Sequence, residues 1–68
     1  MHKYLYRMSE LKESIRNSKE GSGVLAVLSS AGIRGDVTFQ ERIIEGELFL
    51  EIQTSTYTKE QITAAIKA

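Results

Sequence analysis

His2 is the single histidine of the chain, and there is no cysteine to act as a second nucleophile or ligand beside it. General-base and triad chemistry both need an imidazole held within hydrogen-bond reach of a fixed partner. A lone histidine next to Met1 has none in view and reads as a surface side chain. Glu41, Glu45, Glu47 and Glu51 form the other chemistry-bearing group. Paired carboxylates can divide acid and base roles where their surroundings push their pKa values apart. Glu45 and Glu47 flank Gly46 in an expected exposed turn, where water keeps their acidity ordinary, so they read as a solvated rim. Glu41 differs, because strand alternation sets it on an apolar face opposite Leu50. It lies at the sheet margin, pairs with a cation, or marks a face that is not wholly covered. The glycine-bearing pieces 21–23 (GSG) and 32–35 (GIRG) lack the strand-loop-helix setting and the Lys-Ser/Thr ending of a phosphate loop, and read as linker and cap. Without cysteine, disulfides, thiolate metal sites and thiol catalysis all fall away. The expectation is a chain that is not an enzyme and uses no metal or cofactor.

One basic and aromatic set remains. Arg7, Lys12, Arg16 and Lys19, with Tyr4 and Tyr6, resemble a nucleic-acid surface in miniature, although Glu10 and Glu13 interrupt it. Charge over the whole chain is balanced, with nine Lys and Arg against nine Asp and Glu. No overall field therefore draws it to nucleic acid or to an anionic membrane. The distribution is less even. Residues 1–20 carry Lys3, Arg7, Lys12, Arg16 and Lys19 against Glu10, Glu13 and Glu20, a net of +2. Residues 33–54 carry Arg34 and Arg42 against Asp36, Glu41, Glu45, Glu47 and Glu51, a net of −3.

The elements that must position these groups are organised around Asp36 to Thr54. Val37, Phe39, Glu41 and Ile43 share one face of a strand, because successive side chains point to opposite sides. A two-residue turn at Glu45-Gly46 sets Ile44 opposite Glu47, Ile43 opposite Leu48, Glu41 opposite Leu50, Phe39 opposite Ile52 and Val37 opposite Thr54. Leu48, Leu50 and Ile52 then share the apolar face with Val37, Phe39 and Ile43. One more loop residue would put Phe39 against Glu51 and mix apolar with charged positions, so burial selects the two-residue register. Phe49 and Ile44 fall on the opposite face with Arg42 between them. Exposed apolar side chains on a sheet are how contact surfaces begin.

His2 to Arg7 reads as a short strand with Tyr4 and Tyr6 on one face and Leu5 on the other. The rival is a helix running through from residue 2. Ser9 would cap a helix carrying Met8, Leu11 and Ile15 as its apolar stripe. Beyond Gly21-Ser22-Gly23, Val24 to Ala31 fits a helix with Ser22 as a cap and Gly32-Ile33 as a glycine ending; a strand over Val24 to Leu28 is the alternative. Thr58-Lys59-Glu60-Gln61 is a capping box for a last helix that buries Ile62, Ala65 and Ile66. The sum is a single α+β domain over residues 1–68. It is a small two-layer structure, with an antiparallel sheet built on the 36–54 hairpin and covered by helices in the order β-α-β-β-α. A chain of this size has a narrow stability margin, which makes oligomerisation reasonable. The longest apolar run, Val24 to Leu28, is far below the ~20 residues of a membrane span, and the polar start is not a signal peptide, so a soluble cytoplasmic protein is expected.

The run AVLSSAGIRGDVTF followed by ELFLEIQTSTYTKEQITAAIKA resembles the later part of the small ferredoxin-like domains of the heavy-metal-associated family. Those domains have a helix ending in an apolar-Gly-apolar step, a hairpin, and a final helix that opens with Thr and runs Glu-Gln-Ile. The resemblance covers residues 24–67 and implies an incomplete ferredoxin-like fold. The family's Cys-x-x-Cys is missing, so metal transfer is not implied. A strand following the last helix, paired beside the first, has no counterpart up to Ala68. The alternative strand at 24–28 would give an α-β-β-β-α order similar to double-stranded-RNA-binding domains, whose last helix opens with lysines; here Lys59 stands beside Glu60 and Gln61. The expected function is a non-enzymatic protein-binding or regulatory module. It would act as a homodimer or within a protein complex, through Tyr4 and Tyr6 on the first strand and Arg42, Ile44 and Phe49 on the outer hairpin face. The alternative is nucleic-acid binding through Arg7, Lys12, Arg16 and Lys19.

Overall fold

Strand β3 (Glu47–Thr54) is the middle of a three-stranded antiparallel sheet, with β1 (His2–Arg7) on one side and β2 (Val37–Ile44) on the other. The computed structural model describes residues 1–18 and 22–68. The hairpin register is the one that burial selects, from Ile44 opposite Glu47 to Val37 opposite Thr54. Its turn residues Glu45 and Gly46 both have positive φ, 51° and 81°, as a type I′ turn requires and as the twist of the flanking strands favours. β1 is a strand, antiparallel to β3, with Tyr6 opposite Leu50 and Tyr4 opposite Ile52. Leu50, Ile52 and Thr54 are buried beneath the helices, and Thr54 accepts from the backbone amides of Thr56 and Tyr57 where the chain leaves the sheet.

Residues 9–18 depart from the expected helix. Met8–Glu10 forms a 3-10 turn, Leu11 is extended, and helix α1 is the single turn Glu13–Arg16. Ser9 therefore caps nothing, and Lys12 takes the cap position without a side-chain hydrogen bond. The reason is tertiary. Leu11 bridges Lys67, Lys12 N–H donates to Ile66 O (2.9 Å) and Ala68 N–H donates to Glu10 O (3.2 Å), so these backbone groups bond across the fold. Leu11 and Ile15 are buried as the stripe implied, with Met8 packed at its edge.

Helix α2 (Ser22–Ser30) resolves the helix-or-strand question over Val24 to Leu28 as helix. Ser22, expected as its cap, lies within the helix, and Gly21 lies outside the described residues. Gly23 is part of this helix and sits hard against α1, so the segment is more than a linker. α2 ends in a Schellman arrangement: Ile33 N–H donates to Leu28 O (2.9 Å), Gly32 N–H donates to Ser29 O (3.0 Å), and Gly32 has φ +81°. Leu28 and Ile33, the apolar pair of that motif, are both buried. Helix α3 (Lys59–Ile66) opens with the expected capping box, Gln61 N–H to Thr58 Oγ1 at 3.2 Å and Thr58 N–H to Gln61 Oε1 at 2.8 Å. Its buried residues are Ile62, Ala65 and Ile66.

The core lies between one sheet face and the helices, from Tyr6, Leu50 and Ile52 to Leu11, Val24, Leu28 and Ile66. The sheet order β1-β3-β2, with helices between β1 and β2 and after β3, is that of the first three strands of a ferredoxin-like sheet. Tyrosines tie the layers together. Tyr6 OH pairs with Thr63 Oγ1 (2.9 Å), Tyr4 OH donates to Tyr57 O (3.1 Å), and Tyr57 OH donates to Arg34 O (3.0 Å) while accepting from Arg34 N–H. Burial raises the Tyr6 phenol above its ordinary range. Asp36 fastens the start of β2 to the end of β3 by accepting from Ser55 N–H and Thr56 Oγ1.

Candidate protein-contact face

The helices cover one side of the sheet, and the other side carries its own organised surface. Register sets Phe49 at the centre of a row, between Arg7 on β1 and Arg42 on β2. The Arg7 guanidinium lies over the Phe49 ring, 5.9 Å from its centroid, in a cation-π contact. Arg7 Nε also meets Glu47 at 2.9 Å, and Arg42 meets Glu51 at 2.8 Å. The next row is Leu5, Glu51 and Gln40, and the one beyond is Lys3, Gln53 and Thr38. Leu5 is 43 % exposed, while Ile44 and Phe49 are half-buried, and none of the three belongs to the core.

Glu51 anchors this face. Its carboxylate accepts from Arg42 Nη1 (2.8 Å), Gln53 Nε2 (2.9 Å) and Gln40 Nε2 (3.3 Å), and its side chain is only 4 % exposed beneath them. The Arg42 hydrogen bond first, then that of Gln53, holds its pKa below the ordinary value of 4.5. Asp36, held by Thr56 and Ser55, and Glu10, held by Lys67, are lowered for the same kind of reason. A carboxylate whose folded-state pKa is depressed contributes stability that is present above its unfolded pKa and lost as pH falls through its folded one. Stability should accordingly hold near neutrality and decline as pH drops below about 4.5. Urea denaturation at pH 7 and pH 3 should show this decline. Glu51→Gln should make it shallower; an unchanged pH profile in that variant would rule out a folded-state bias on Glu51.

The expected contact residues divide. Arg42, Ile44 and Phe49 do share the uncovered face, whereas Tyr4 and Tyr6 point to the opposite side. Tyr6 is 4 % exposed and Tyr4 packs against the core with His2 stacked on it at 6.1 Å, so neither phenol shares a surface with Phe49. The cause is parity. Tyr4 and Tyr6 pair with Ile52 and Leu50, which puts Leu5 and Arg7 on the Phe49 face instead. Alternation placed Leu5 opposite the tyrosines; only the pairing of β1 with β3 set it beside Phe49.

The basic set divides as well. Arg7 is on the uncovered face, ion-paired with Glu47. Arg16 Nε donates to Leu11 O (3.0 Å), and the residue lines a cavity of about 130 Å³ between the helices and the hairpin, together with Phe39, Glu41 and Leu48. Lys12 is exposed ahead of α1, and Lys19 lies outside the described residues. Glu41 is exposed in the middle of β2, an outer strand of the sheet, and lines that cavity. Among the described residues no group of His, Asp and Glu is placed to hold a metal ion, and no helix is long and apolar enough to cross a membrane. Comparison with family models, with curated proteins and with solved structures returns no match.

Proposed function

We propose that this chain is a non-enzymatic protein-binding module whose contact surface is the uncovered sheet face around Phe49, with another protein or a second copy of itself as partner. The observation that carries the reading is the composition of that face. An antiparallel sheet with one packed side normally presents polar residues on the other, yet here Leu5, Phe49 and Ile44 interrupt the polar rows. Aromatic and arginine side chains are the types enriched at interface centres, and Phe49 lies between two arginines. The Glu51 network already fixes Arg42, Gln40 and Gln53, so docking on them loses less side-chain freedom. Phosphate binding is less well supported, because Arg7 faces Glu47 and Glu10 and Lys67 faces Glu10.

Photo-crosslinking in the native host tests the reading. A benzophenone amino acid at position 49 or 44 should give discrete protein adducts, and the same probe at Ser29, exposed on α2, should not. Equal yields at the three positions would overturn it. Sedimentation of the purified chain then tells a self-adduct from a second protein.

A further inference from the structure

The outer edge of β1 is a second feature, adjoining the Phe49 face and sharing Leu5, Arg7 and Phe49 with it. β1 pairs with β3 along one edge, and among the described residues nothing pairs with the other. α3 runs beneath the strand, tied to it by Tyr6 and Thr63. The result is a groove of about 360 Å³ whose walls include Leu5, Arg7 and Phe49 on the sheet side and Lys59, Thr63 and Lys67 on the helix side. The chain itself shows which way a strand runs here. Leu11 and Lys67 form an antiparallel bridge, and Ala68 N–H donates to Glu10 O, just beyond the end of β1.

We infer that this groove takes an extended acidic segment of a partner protein, added antiparallel to β1 as a further strand of the sheet. Main-chain hydrogen bonds to an open edge supply affinity, and side chains at alternate positions supply choice. The choice here is electrostatic. Arg7, Lys59 and Lys67 line the groove beside Glu10, which faces Arg7 and Lys67, and Glu47 pairs with Arg7 from β3; with Lys3 farther along the edge, four cations stand against two carboxylates. A second copy of β1 would bring two like-charged edges together, which cross-strand pairing disfavours. An anionic strand meets them with complementary charge.

The inference rests on the reading as a protein-binding module and adds to it the open backbone edge that borders the same face. The whole chain, labelled for amide spectroscopy, is titrated with a capped hexapeptide of alternating valine and glutamate, and separately with its lysine counterpart. The acidic peptide should protect and shift amides of Lys3 to Arg7, bind at least about tenfold more tightly than the lysine peptide, and weaken as salt screens the charges. N-methylation at alternate peptide amides should abolish binding. Lys59→Glu should weaken it several-fold without harming the fold, since an acidic residue suits the first turn of a helix. Absence of binding, equal binding of both peptides, or protection confined to the free edge of β2 would overturn the inference. So would protection of β1 that rises with protein concentration alone, which would assign the edge to a second copy. If crosslinking at position 44, which is on the face but outside the groove, fails while the peptide still protects β1, the proposed face is wrong and the edge site stands. The reverse result removes the edge site alone.

Discussion

Replacing Ile52 by alanine should lower the unfolding free energy by about 2–5 kcal/mol, the range for truncating a buried isoleucine. Ile52 is fully buried at the middle of the central strand, with Tyr4 and Phe39 opposite it on the two neighbouring strands. The sheet is a single layer against the helices, so the atoms removed would leave a gap at its centre that neighbours fill only in part. A domain of this length has a total stability of roughly 3–10 kcal/mol, and the loss is a large share of it. Urea denaturation followed by circular dichroism should show the midpoint falling by about a fifth or more. Ile43→Ala is the matched control, since Ile43 points to the same face but is 76 % exposed near the turn. It should move stability by no more than about 0.5 kcal/mol. A loss below about 1 kcal/mol for Ile52 would mean that the core closes around the deletion far more easily than close packing allows.

Replacing Gly23 by alanine should destabilise the fold by about 1–3 kcal/mol, against the sign that helix propensity alone gives. Alanine is favoured over glycine inside a helix by roughly 1 kcal/mol, and Gly23 lies in α2. A Cβ there would stand 2.3 Å from the Ser14 carbonyl oxygen and 2.7 Å from Ser18 Cβ. The nearer atom belongs to the backbone of α1 and cannot turn away as a side chain could, so α1 and α2 must move apart. Val24 and Ile15, buried beside this crossing, would lose packing as they did. Thermal unfolding should report the change, and about 1 kcal/mol corresponds to 4–8 °C for a domain of this size. A rise in stability would show that the two helices can separate without cost.

Where side-chain patterning and local backbone chemistry act alone, the sequence determined the structure. Alternation with one buried face fixed the hairpin register, because one more loop residue would set Phe39 against Glu51 and Ile43 against Glu47. The Thr58-Gln61 box and the Gly32-Ile33 ending each satisfy backbone groups through residues a few positions away, so they were readable before any fold was known. Residues 9–18 were not readable in that way. Their helical stripe is real, but Lys12 N–H donates to Ile66 O and Glu10 O accepts from Ala68 N–H, bonds that outweigh the local helix and whose partners lie more than fifty positions away in the chain.

The candidate site followed the same division. Arg42, Ile44 and Phe49 sit within one hairpin, and alternation was enough to bring them together. Leu5, Arg7 and the burial of Glu51 depend on β1 docking beside β3, a pairing between segments some forty residues apart that no local pattern specifies. Parity along a strand is a property of the chain and tells which side chains share a side. Which strand lies beside it, and so whether Tyr6 or Leu5 faces water, is decided by the helices that cover the apolar face, and only the assembled fold contains that information.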